Sequence, residues 1–135
     1  MRTRAVGRGV AAVALAGALL AGCGGGGGSS GGGGGFREPA GPAVQTLKID
    51  AHNFAFDPDK ITAKPGVTAI DLTSTGGSHT LVFDGKFSGF QLEVSGSGDH
   101  QQMKVDLKPG KYTFYCDLPG HRAQGMEGTI TVSAS

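Results

Sequence analysis

The chain has 135 residues, room for one domain, and 26 of them are glycine, many packed between Gly22 and Gly35. Aromatic residues make up 7% and tryptophan is absent, a profile that suits a small β domain on a flexible tether. Loss of residues 1–22 takes away Arg2, Arg4 and Arg8 of the 12 basic residues, leaving nine against 11 acidic ones, a net charge of −2 with histidine neutral. No basic stripe survives, so binding to nucleic acid and purely electrostatic adhesion to anionic lipid are disfavoured.

In chain order, residues 1–22 read as a targeting segment, because the three arginines precede an uncharged, Ala-rich stretch from Gly9 to Ala21. That stretch is short of the roughly 20 apolar residues of a membrane-spanning helix, and polyglycine follows it rather than a basic flank. An uncleaved anchor helix is therefore the weaker alternative. Leu20-Ala21-Gly22-Cys23 resembles the lipobox of bacterial lipoproteins, in which the cysteine is acylated and becomes the new N-terminus. Cys23 is thus expected to attach the protein to lipid on the outer face of the cytoplasmic membrane or in the periplasm. Its other reading is a disulfide with Cys116, since exported proteins favour such bonds and the chain has two cysteines.

Residues 23–43 form a Gly/Ser-rich spacer with Phe36, Arg37, Glu38 and two prolines at its end, a composition expected to stay unfolded. Its random-coil reach is on the order of 20–25 Å, which lifts a small domain clear of lipid headgroups.

Residues 44–135 break into short alternating or β-branched runs with no helix-period stretch of useful length. Strands are predicted at Gln45 to Ala51, Lys60 to Lys64, Val67 to Thr75, Thr80 to Asp84 and Phe90 to Val94. Three more are predicted at Gln101 to Leu107, Lys111 to Cys116 and Glu127 to Val132. Pro65-Gly66, Gly76-Gly77 and Pro109-Gly110 mark turns. About eight strands in so short a domain imply an all-β sandwich with Greek-key connections.

The segment Tyr112-Thr113-Phe114-Tyr115-Cys116 ends a predicted strand, and His121 and Met126 follow it, each after four intervening residues. A thiolate, an imidazole and a thioether thereby share one loop between two strands. Soft sulfur with imidazole suits copper, whereas structural zinc sites seldom use a thioether. His79, in the turn Gly76-Gly77-Ser78-His79, supplies the second imidazole and completes a His₂Cys set with a weak axial Met. Taken singly, each residue has a plainer role: a small buried Cys, a surface His, a gap-filling Met. His52, at a predicted strand end, and His100, in a predicted turn, have no Cys or carboxylate cluster and read as solvent-exposed structural residues rather than a second metal site.

Gly77-Ser78-His79-Thr80-Leu81-Val82-Phe83, together with Tyr115-Cys116-Asp117-Leu118-Pro119-Gly120-His121 and Met126-Glu127-Gly128, resembles the cupredoxins. The likeness covers residues 44–135, including Phe54, Pro58 and Lys64-Pro65-Gly66. The Cys–His spacing is similar to azurin, and the longer His–Met spacing to rusticyanin and auracyanin. The resemblance implies a carrier of single electrons with one copper, without catalysis, and a tethered domain of this size is expected to act as a monomer. It implies an electron port at His121, inside an apolar collar of Leu118, Pro119 and Gly120, facing redox proteins such as a c-type cytochrome, an oxidase or a reductase. One departure stands out: where an Asn follows the first histidine in plastocyanin-like and azurin-like members, this chain has Thr80, whose hydroxyl cannot bridge as a carboxamide does. A nitrite reductase or oxidase would need a further copper centre, and a copper-delivery protein would need Met/His clusters where only Met103 and Met126 follow the targeting segment. A metal-free interaction module would be expected to have lost ligands, and none is missing.

Overall fold

The computed structural model describes residues 35–134. Nine strands run in chain order: β1 Gln45–His52, β2 Ala55–Asp57, β3 Lys60–Ala63, β4 Gly66–Ser74, β5 Ser78–Phe83, β6 Leu92–Ser95, β7 His100–Leu107, β8 Gly110–Tyr115 and β9 Glu127–Val132. They build two sheets, ordered β2-β1-β4-β7 and β3-β9-β8-β5-β6. The first puts β1 parallel to β4, and the second puts β3 parallel to β9. Two sheets of this kind are the expected all-β sandwich.

Alternation explains the layering. In β1, Ile49 and Ala51 point inward; in β4, Ile70 and Leu72; in β7, Val105 and Leu107. They meet Leu81, Leu92, Val94, Phe114 and Ile130 of the second sheet in one buried cluster. The pattern works because successive side chains of a strand face opposite ways, so one apolar residue in two covers one face. Gly128 in β9 lies under the Phe114 ring, and a Cβ there would sit 2.7 Å from both Phe114 Cε2 and the Asp59 carbonyl oxygen. No larger residue fits without displacing a core aromatic.

Where the structure departs from the sequence reading, the reasons are local. β2 has three residues, too few to show an alternation, and Pro58 stops it at once. Strand β5 begins at Ser78, so His79 sits inside a strand, paired with Val94 of β6, rather than in the preceding turn. His100 likewise opens β7 rather than lying in a turn. A 3-10 turn, η1 (Arg122–Gln124), has no apolar periodicity to announce it.

The packed unit also starts earlier than the spacer boundary at 43 implies. Phe36 sets its ring edge against Phe90 and Phe87, with centroids 5.2 and 6.4 Å apart. The Glu38 carboxylate accepts a hydrogen bond from the Lys104 backbone N–H, and Lys104 Nζ donates to the Gly41 carbonyl at 2.7 Å. Lys104 lies on β7, the outer strand of the first sheet, so residues 36–41 strap an otherwise open sheet edge. Cys23 and the targeting segment lie outside the described residues. Among the described residues no helix is long and apolar enough to cross a membrane.

Candidate metal centre

Three of the expected ligands converge at one end of the sandwich. A nitrogen of His79, the Cys116 Sγ and a nitrogen of His121 all lie within 4.8 Å of one another. His79 comes from β5, while Cys116 follows β8 directly and His121 precedes η1. Because β5 and β8 are neighbours in one sheet, the ladder fixes how far His79 stands from Cys116.

The tautomer of His79 follows from its surroundings. Its Nε2 is 2.8 Å from the Gly76 carbonyl oxygen, an acceptor only, so Nε2 carries the proton and donates. Nδ1 then holds a free lone pair, and that atom is buried with no hydrogen-bond partner among the described residues. A buried acceptor left bare is costly unless something else occupies its lone pair. Gly77 makes this arrangement possible: its φ is +79°, and a Cβ would press within 3.2 Å of the His79 ring. The turn is itself tied down by Gly96 N–H to the Gly77 carbonyl at 2.8 Å and by Ser74 Oγ to the same oxygen at 3.1 Å.

Cys116 is fully buried and carries a free thiol. Its sulfur lies 3.4 Å from His121 Nδ1 and accepts from the Thr80 backbone N–H at 3.4 Å. Such a donor stabilises negative charge on sulfur, the form that binds a metal. The donor set of two imidazoles and one thiolate fits copper. Met126 is also fully buried, and its backbone brackets the site: its carbonyl accepts from Cys116 N–H at 3.1 Å, and its N–H donates to the His121 carbonyl at 3.2 Å.

Thr80 does not act alone. Its hydroxyl donates to Asp117 Oδ1 at 2.5 Å and accepts from Asp117 N–H at 2.9 Å, while lying 3.5 Å from the Cys116 sulfur. The Thr80–Asp117 pair thus spans the two ligand-bearing segments, the bridging that a lone hydroxyl was not expected to provide. Reading Thr80 without Asp117 missed half of the device, and 37 residues separate the two.

Around the site, Leu118 is half-buried and Pro119 and Gly120 are exposed beside His121. The sequence reading left out Phe54 as a member of this surface. Its ring stands edge-on to His121 with centroids 5.2 Å apart, it is 40% exposed, and its φ is +58°. A bulky residue in the left-handed region costs on the order of 1–2 kcal/mol, so an exposed phenylalanine held there beside His121 points to use of that surface. The other two histidines lie away from the site: His52 Nδ1 is 3.2 Å from Asp50, and His100 Nε2 is 2.7 Å from Asp71. His52 is half-buried and His100 exposed, and neither joins a third ligand among the described residues.

Comparison with known proteins agrees with this geometry. Residues 43–133 match the family model for copper binding proteins of the plastocyanin/azurin family. Plastocyanin of Nostoc punctiforme is 34% identical over 99 residues, covering 64% of this chain and 70% of that protein. Plastocyanin of Scenedesmus fuscus is 33% identical over 98 residues, covering 64% and 97%. Among solved structures, auracyanin B superposes with a TM-score of 0.58 at 22% identity, over 76% of this chain and 97% of that one. Auracyanin of Roseiflexus castenholzii gives 0.54 at 23%, over 69% and 100%. These two likenesses concern the fold.

Proposed function

We propose, for a chain that belongs to the plastocyanin/azurin family of copper-binding proteins, that it is an extracytoplasmic carrier of single electrons tethered to lipid. The observation that carries the reading is the bare, buried Nδ1 of His79, a residue with a ring nitrogen within 4.8 Å of a free thiol and a second imidazole. His79, Cys116 and His121 would hold the ion, and Met126, buried at the end of the same loop, would add a weak thioether donor. Copper bound there supplies a one-electron couple between its cuprous and cupric states.

The residues supply what the couple needs. The Gly76 carbonyl orients one imidazole, Thr80 and Asp117 fix the spacing of the ligand segments, and the buried core excludes water from the sulfur. Electrons pass through His121, whose collar of Leu118, Pro119, Gly120 and Phe54 forms an uncharged docking surface. Partners of the matching kind are redox proteins, such as a c-type cytochrome, an oxidase or a reductase, that bring an apolar surface around their own redox group. The protein acts as a monomer and catalyses no bond change. Acylated Cys23 holds it at the outer face of the cytoplasmic membrane or in the periplasm.

The test mixes the oxidised, copper-loaded protein with a reduced c-type cytochrome and reads both visible spectra. One electron accepted per copper, reversibly, is expected; copper that leaves the protein on mixing would favour a delivery role instead. Fractionation of cells carrying Cys23→Ala checks the anchor, which should move the protein out of the membrane fraction with its copper site unchanged. Retention in the membrane would support an uncleaved helix.

A further inference from the structure

The turn that joins His121 to Met126 has little to hold it. It is a three-residue 3-10 helix with no buried residue and no side-chain cap, closed by Gly125 in the left-handed region. Short helices of this type have poor hydrogen-bond geometry and little stability of their own. Yet the two residues that flank it must stay where the metal centre requires them.

One side chain compensates. Arg122 Nε donates to Glu127 Oε2 at 2.6 Å, and a terminal nitrogen donates to Asp84 Oδ2 at 2.8 Å. The flat guanidinium lies over Tyr115, with Cζ 3.9 Å from the ring centroid. Two of the partners adjoin the site, Tyr115 preceding Cys116 and Glu127 following Met126, and Asp84 follows the last residue of β5, the strand that carries His79. Arg122 itself follows His121. We propose that Arg122 is a positioning residue that staples the ligand turn to β5, β8 and β9, fixing His121 and Met126 with or without metal. This deepens the copper-carrier reading and rests on it for its purpose.

The chemistry favours arginine specifically. A planar fork reaches two carboxylates in different directions while its face stacks on an aromatic ring, and a lysine ammonium has neither the fork nor the face. The side chain is 40% exposed, so each ion pair taken singly is weak. Three contacts converging on one group restrain the turn more than any one of them. With both carboxylates engaged, the cation is also compensated locally, which argues against its being a free charge for attracting partners.

Amide hydrogen exchange on the metal-free protein tests this. In Arg122→Leu the amides of Gln124, Gly125 and Met126, which close the turn, should exchange roughly tenfold faster, with the β7 amides unchanged as an internal control of folding. Arg122→Lys should protect them little better. With copper bound, both variants should show a broadened copper resonance in electron paramagnetic spectra. Exchange at those amides equal to wild type in Arg122→Leu, or full protection restored by lysine, would overturn the proposal. So would unchanged exchange with only the rate toward the redox partner reduced, since Arg122 would then be a docking residue. Wild-type protein that binds no copper would defeat the carrier reading instead, and the metal-free exchange would still decide the role of Arg122.

Discussion

The two ends of β5 carry opposite solutions to one problem, that of keeping a small sandwich in register. At His79 the chain is held by single polar contacts: the Gly76 carbonyl and the Thr80–Asp117 pair. Four residues on, about 13 Å at strand spacing, Phe83 enters an aromatic cluster with Phe87, Phe90 and Tyr112, onto which Phe36 packs through Phe87 and Phe90. There the Tyr112 hydroxyl bonds both the N–H and the carbonyl of Lys108 at 2.9 Å. Aromatic contacts are shared among several rings, so the loss of one is spread over the rest. Polar contacts at the metal end are used once each, and each has its own consequence. Stability should therefore be concentrated at one end of the strand and ligand geometry at the other.

The largest expected effect comes from the aromatic end. Phe90→Ala removes a ring that is 3% exposed and should cost about 3–5 kcal/mol of unfolding free energy, read by urea denaturation. The copper spectrum of the folded fraction should be unaltered. A spectrum that changed with it would mean the two ends are coupled through β5.

At the metal end, Met126 sharpens the comparison because it changes the couple more than the fold. Met126→Gln offers a stronger oxygen donor and should lower the reduction potential, whereas Met126→Leu keeps volume without a donor and should raise it. Roughly 60 mV, a tenfold shift in a one-electron equilibrium, is the scale expected. Redox titration of the three proteins in one buffer checks this, and shifts of equal sign would make Met126 core packing only.

How much of this was legible in the sequence depends on how far apart the cooperating residues lie. Cys116, His121 and Met126 share one loop, so their spacing alone marked a metal site. His79 could be added because Gly76-Gly77 announces a turn, although the turn ends two residues sooner than expected and leaves His79 in the strand. Thr80 with Asp117 and Arg122 with Asp84 are meetings across 37 and 38 residues, and composition carries no trace of them. Phe36 was misplaced for another reason. Glycine on one side and proline on the other describe a coil, and only the finished sandwich shows the gap beside Phe90 that a lone aromatic can cover. Phe54 went unnoticed because its left-handed backbone, not its residue type, turns it toward His121.

A smaller effect follows from the strap. Phe36→Ala should cost about 1 kcal/mol, since the ring is only partly buried and its edge contacts are two. Thermal unfolding with and without copper checks it, and the loss should be the same in both states if the strap and the metal centre are independent.

The central claim, that a buried thiolate and two imidazoles here hold copper, is tested most directly by the visible absorption spectrum of the oxidised, copper-loaded protein beside Cys116→Ser. Wild type should show an intense thiolate-to-copper charge-transfer band at one copper per chain, and the serine variant, close in shape but without sulfur, should remain folded and show none. A band that persists in Cys116→Ser, or a wild-type protein that folds and takes up no copper, would contradict the account.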